Sequence, residues 1–290
     1  MRKGPSVGRP FLLGEMTDPK SHEATLRKAD YDRYLAAMLA PSSAQPHLFA
    51  LYAFNYEVAR IAESVREPMA GHIRLQWWRD AIEGAYARNP LPHPVVHSLA
   101  DLIAAHDPPR ELFQQLLDAR EYDLEEMPFA DTASLETYAD ATSGHVMRLA
   151  ARILGADASL DDIARGAGTA YALAGLLRAL PYHSAQRRLM LPLSILKETR
   201  IEPEEVFAGD ARDRMPRLID QVARHAEAHF TAARQGMARR LLTALLPAAV
   251  VPEYLRGVTR SGFDPFRDPA DVPHYRRQLA MAGALLRGRL

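Results

Sequence analysis

Most of the 21 prolines in this 290-residue chain stand at the edges of apolar, helically periodic segments rather than inside them. Inside a helix, proline removes a hydrogen bond and clashes with the preceding turn, whereas at the first helical position it fits. The prolines therefore cut the chain into a series of helices, and no run of alternating β-branched residues argues for a strand. The reading gives helices over Asp30–Leu39, Pro46 to Val65, Gly71–Ala87, Pro94–Ala105, Pro109 to Glu126, Ser134–Leu154, Ser159–Ala179, Asp213–Leu246, Pro252–Arg260 and His274–Leu290. Pro203–Phe207 reads as one short turn, Ser159 as an N-cap and Gly155 as the residue that closes a helix. The expected organisation is a flexible lead over residues 1–24 and one all-α domain over residues 25–290.

Lys+Arg and Asp+Glu both number 36, so overall charge gives no case for nucleic-acid binding, and none is expected. The absence of cysteine excludes disulfides and thiolate chemistry. No uninterrupted apolar run approaches the roughly 20 residues that span a bilayer. The longest, Leu241–Val251, is interrupted by Thr243 and Pro247. The first residues lack an apolar core, so no secretory signal is read there.

The segment Gly168–Pro192, GTAYALAGLLRALPYHSAQRRLMLP, contains no carboxylate. Together with ALYAF at Ala50–Phe54, LQWWRDAIEGAYARNPLPHPVVHSL at Leu75–Leu99, LLDAREYDLE at Leu116–Glu125 and LETYADATSGHVMRLAARILG at Leu135–Gly155, it resembles the squalene and phytoene synthase family. That resemblance extends along most of the chain. It implies the isoprenoid-synthase helical bundle, with a central apolar cavity, in which Mg²⁺ helps ionise an allylic diphosphate. In the family pattern, an acidic D-D-x-x-D motif follows the ALYAF lead; here it falls on Ala59, Arg60, Ile61, Ala62 and Glu63. At the second site Gly168, Ala170, Leu173, Leu176, Leu177 and Arg178 keep the family register, while Ala172, Gly175, Ala179 and His183 replace its Gln, Asn and two Asp. Mg²⁺ requires near-octahedral oxygen donors. Glu63 alone of the two acidic clusters remains, and beside Arg60 it is expected to form a salt bridge. No metal and no other cofactor is therefore expected; Mg²⁺ enters only if the chain is an active prenyltransferase.

Four further strings, Ala53–Glu57, Ser64–Glu67, Arg74–Trp78 and Leu177–His183, resemble the non-catalytic branch of the superfamily that comprises complex I assembly factor 6 and its bacterial relatives. This resemblance implies a pseudoenzyme that helps assemble NADH dehydrogenase. Its partner would be a complex I subunit or assembly intermediate, an isoprenoid or phospholipid, and a membrane surface met peripherally. The implied location is the cytoplasm or the inner-membrane surface of a bacterium, or the matrix side of a mitochondrion. Arg60, Glu63, Arg178, Tyr182 and His183 are the candidate residues at the cavity mouth. The alternative is an active enzyme of the family joining prenyl diphosphates in carotenoid or hopanoid biosynthesis.

Other features have ordinary readings. His93/His97 and His225/His229 have i, i+4 spacing, but neither pair encloses the Glu of a catalytic zinc motif. Trp77 and Trp78 are adjacent, so at least one packs in the core. Arg187–Arg188 is either a solvated basic loop or a contact for lipid phosphate or a partner. The last helix places Leu279, Ala282, Leu285 and Leu286 on one side with arginines elsewhere, and fits either core docking or a membrane surface.

Overall fold

The computed structural model describes residues 19–125, 127–268 and 270–290. Helices account for nearly all regular structure among them, and no strand is present. The first third comprises α1 (Pro19–Ala29), α2 (Tyr31–Met38), α3 (Gln45–Ala59), α4 (Ile61–Ser64), α5 (Pro68–Tyr86) and α6 (Pro94–His106). The middle comprises α7 (Arg110–Glu121), α8 (Thr132–Ala139), α9 (His145–Ile153), α10 (Asp161–Arg178) and α11 (Leu180–Ala185). Then follow α12 (Leu193–Thr199), α13 (Pro203–Ala208), α14 (Met215–Gly236), α15 (Leu242–Leu245), α16 (Val251–Val258) and α17 (His274–Arg287). The segment expected as a flexible lead is already helical from Pro19, and Leu26 of α1 is fully buried; residues 1–18 lie outside the described residues.

Two helices form the axis of the bundle. In α3, Leu48 to Asn55 are buried on every side, as in a helix surrounded by others. Phe54 packs edge-on against Trp78 of α5 and Phe113 of α7, with ring centroids 5.3 and 5.5 Å away. Trp78 is therefore the core tryptophan, while Trp77 is partly exposed. Helix α10 packs against α9, α14 and α16.

Several boundaries differ from the sequence reading. The helix expected to reach Val65 breaks at Arg60. The helix expected over Asp213–Leu246 ends at Gly236, where Met237 turns extended; Arg239–Leu241 and Leu246–Val250 are then 3₁₀ turns flanking α15. Arg239–Val258 is long and apolar enough to cross a membrane by composition, but most of it is buried in the bundle. The N-cap near Ser159 is Asp157, whose carboxylate accepts from the Ser159 amide at 2.9 Å. Gly155 closes α9 with φ 81°, as its position implied. Pro181 has no N–H to continue α10, and the chain bends there into α11.

Between α8 and α9 the rod widens into one π-helical turn, Asp140–Gly144. It lies so close to α10 that a Cβ on Gly168 would stand 2.5 Å from the Gly144 Cα and 2.7 Å from the Ser143 carbonyl oxygen. These are backbone atoms, so a side chain at 168 must push the two helices apart. Gly168→Ala is expected to destabilise the protein by about 3 kcal/mol in urea denaturation, the upper range for overpacking. A loss below about 0.5 kcal/mol would contradict the close approach.

Candidate functional site

A cavity of about 350 Å³ opens where the ends of α1 and α2 meet α7, α10, α16 and α17. The sequence reading anticipated an apolar chamber, yet this wall is largely charged and hydroxylated. Five cationic side chains, Lys28, Arg33, Arg120, Arg178 and Arg277, face two carboxylates, Asp30 and Asp32. Tyr138, Thr142, Ser143, Tyr171 and Tyr254 supply hydroxyls. On α10, Tyr171, Gly175 and Arg178 follow at i, i+4 and i+7 and so share one face. No atom lies within 4 Å of where a Gly175 Cβ would stand, so the glycine adds to the open space.

Asp32 is the fixed point of this wall. It is 2% exposed. Arg277 Nη1 donates to its Oδ1 at 3.1 Å, Tyr171 O–H donates to its Oδ2 at 3.1 Å, and the Tyr254 hydroxyl donates to the same oxygen. Arg33 donates to Asp30 at 2.7 Å and to Ser143 Oγ at 3.2 Å. Burial alone would lower the Arg33 pKa, but Asp30 and the Tyr171 phenol oxygen more than offset it and the value is raised. Burial, then the charge of Asp32, pushes the Tyr171 and Tyr254 hydroxyls above their usual range. Three guanidinium groups also cover tyrosine rings: Arg33 on Tyr171, Arg178 on Tyr254 and Arg277 on Tyr31, at 4.6–5.1 Å. Across the cavity Arg120 donates to Tyr138 at 3.1 Å and to Asp123 at 3.0 Å. The Arg120 and Arg277 Nε–H groups are buried and have no partner among the described residues, which leaves two spare donors in a cationic wall.

This donor set suits an anion and does not fit Mg²⁺. Asp30 and Asp32 are each already paired with an arginine, and Ala59 and Ala179 carry no donor. Among the described residues no three His, Asp or Glu side chains are grouped to hold a metal ion.

Of the five residues expected at the mouth, Arg178 lines the cavity, hydrogen-bonded to the Tyr254 hydroxyl at 3.2 Å. Arg60 and Glu63 lie exposed at the α3–α4 break, outside the lining. Arg60 stacks over Tyr56 at 5.0 Å, and the expected Arg60–Glu63 salt bridge is not formed. Around them, burial pushes the Glu57 carboxyl up while Arg60 and Arg74 oppose it, and Arg74 donates to Ser64 Oγ at 2.6 Å. Three of the four branch-like strings thus meet at this break. Tyr182 is exposed, and His183 stands behind the wall, near Arg188 and Asp123. Arg188 donates to the Asp123 carbonyl at 3.0 Å, whereas Arg187 is exposed and pairs with Glu204. Asp32, Arg33, Arg120, Tyr138, Tyr171, Tyr254 and Arg277 were absent from the sequence reading. The one local signal was Asp30–Tyr34, DYDRY, where charge continues onto the buried face of a helix.

Residues 26–279 match the squalene/phytoene synthase family. The chain is similar to NADH dehydrogenase (ubiquinone) complex I, assembly factor 6 of Bos taurus, 32% identical over 268 residues that make up 91% of this chain and 80% of the relative. It is also similar to presqualene diphosphate synthase of Rhodopseudomonas palustris, 28% identical over 227 residues, 77% of this chain and 79% of that one. A crystal structure of a dehydrosqualene synthase with bound ligand superposes with a TM-score of 0.78 at 18% identity, covering 91% and 94% of the two chains.

Asp32→Asn leaves Arg277 buried without its counter-charge and is expected to cost about 3 kcal/mol in urea denaturation. His183 predicts a pH dependence. Burial first, then Arg188, lower its pKa from 6.5 to about 4, so the unfolded chain takes up a proton that the folded one refuses. Its contribution to stability is full above pH 6.5 and is lost as pH falls towards 4. His183→Gln should flatten the unfolding free energy across that window; an unchanged slope would place His183 in water.

Proposed function

The chain belongs to the squalene/phytoene synthase family, and from that premise we propose that it is a non-catalytic member acting in the assembly of respiratory complex I, with its cationic cavity serving as a receptor for an anion. The observation that carries this reading is the pairing of both cavity carboxylates with arginine while Ala59 and Ala179 occupy the positions of the metal-binding aspartates. Ionising a prenyl diphosphate requires positive charge that follows the leaving group, and in this family that is the work of carboxylate-held Mg²⁺. In this reading the arginines that line the cavity hold a diphosphate or a phospholipid headgroup without that step. The 32% identity to a complex I assembly factor supports the assembly role. The partner in this reading is a complex I subunit or assembly intermediate, met at the inner-membrane surface: the cytoplasmic face in a bacterium, the matrix face in a mitochondrion.

The 28% identity to a presqualene diphosphate synthase supports a second reading, an active prenyltransferase of isoprenoid biosynthesis. The two make opposite predictions in a deletion strain. Loss of the gene is expected to lower NADH:quinone reductase activity of isolated membranes while succinate oxidation stays normal, with recovery when the gene is restored. Normal complex I activity together with loss of a squalene- or carotenoid-type product would overturn the assembly role.

The cavity has its own test. Inorganic pyrophosphate without Mg²⁺ is expected to raise the melting temperature of the purified protein in a saturable manner, as any ligand selective for the folded state does. Arg178→Gln should remove most of that increase. No shift in the wild type would contradict an anion receptor.

A further inference from the structure

We infer that α17 is a docking face for an anionic lipid bilayer. The inward and outward sides of this helix are distinct. Arg277, Met281 and Ala284, at i, i+4 and i+7, face the bundle: Arg277 bonds Asp32, and Met281 and Ala284 are fully buried. Tyr275, Leu279, Ala282 and Leu286, at i, i+4, i+7 and i+11, face outward over three turns. Leu279 is 66% exposed and Leu286 89%, more than any other described leucine. Leu279 and Leu286 thus turn away from the core, while Leu285 packs against it and helps dock the helix.

Its charge names the occupant. Residues 274–290 contain Arg276, Arg277, Arg287 and Arg289 and no Asp or Glu. Arg276, Arg287 and Arg289 are exposed, flank the apolar strip at both ends, and form no ion pair among the described residues. Arg239 adds a further cation beside Gly288. An apolar strip bordered by exposed arginines, Arg276 with Glu253 in its vicinity, matches a surface of acyl chains beneath anionic headgroups, which accepts both components at once. A second copy of the chain would bring arginine against arginine. Three large exposed apolar side chains and one alanine are too few to insert irreversibly, so the contact is reversible and salt-sensitive.

The position of the helix adds a consequence. His274 and Arg277, in its first turn, line the cationic cavity. Lying against a bilayer, α17 therefore brings the cavity mouth to headgroup level, where an anionic group of the lipid or of a membrane-borne partner can reach it. The inference goes beyond the proposed function and does not need it, since vesicle binding is read without complex I and the pyrophosphate test is read without lipid.

The test is co-sedimentation of the full-length protein with sucrose-loaded vesicles of phosphatidylcholine alone or mixed with phosphatidylglycerol. The wild type should bind the mixed vesicles and not the neutral ones, and added salt should weaken binding. Leu279→Asp combined with Leu286→Asp should weaken it at least about tenfold. Each of Arg276→Gln, Arg287→Gln and Arg289→Gln should weaken it about fivefold. The control is Met69→Asp with Ile73→Asp, an exposed apolar pair on α5, which should leave binding within about twofold of wild type and the melting temperature intact. No binding of the wild type to mixed vesicles overturns the proposal. So does equal loss in the α5 control, or a dimer in light scattering that the α17 double variant dissolves while vesicle binding is absent.

Discussion

The contact on which the rest of the structure depends is the buried carboxylate of Asp32. It receives a guanidinium from α17 and hydroxyls from α10 and α16, so one side chain near the start of the chain ties together its middle and its end. A carboxylate in that position is costly unless each oxygen is satisfied, and here both are. The same arrangement sets the chemistry of the cavity: Asp32 and Asp30 are bound to arginine, Arg120 pairs with Asp123, and Arg178 lies between the Tyr254 hydroxyl and Asp271. Structure and electrostatics have one origin.

The framework of the bundle is set by other contacts. The bundle needs the α10–π-turn contact at Gly168, the buried surface of α3 and the Phe54–Trp78–Phe113 cluster, and all of these are present. None depends on aspartate at 59, 179 or 183. The polar wall is built from other residues, contributed by helices at both ends of the chain, so framework and chemistry vary separately.

Much of the framework was legible in the sequence because its causes are local. Proline positions gave most helix boundaries, and Gly155 gave a helix end through its positive φ. The substituted positions Ala59, Ala179 and His183 were readable because the surrounding residues keep a family's spacing. The site itself was not, because its pairings are distant: Arg277 lies 245 residues from Asp32. Nothing in DYDRY announces that its second aspartate will be 2% exposed. Likewise a π-turn has no propensity signature, and the break after Gly236 reflects packing of the following apolar segment into the bundle rather than a proline. Arg60 sits at the α3–α4 break, Glu63 in α4, and Tyr182 and His183 in α11; the bends at Arg60 and Pro181 leave all four outside the lining.

In the proposed reading the cavity holds a diphosphate without cleaving it. Phosphorus-31 NMR of farnesyl diphosphate with the purified protein and excess Mg²⁺ tests this directly, because bound ester and released inorganic diphosphate have separate resonances. The expected result is a shifted or broadened ester signal that persists, with no inorganic diphosphate beyond a boiled control. Steady growth of the inorganic diphosphate signal, abolished by Arg178→Gln, would contradict it.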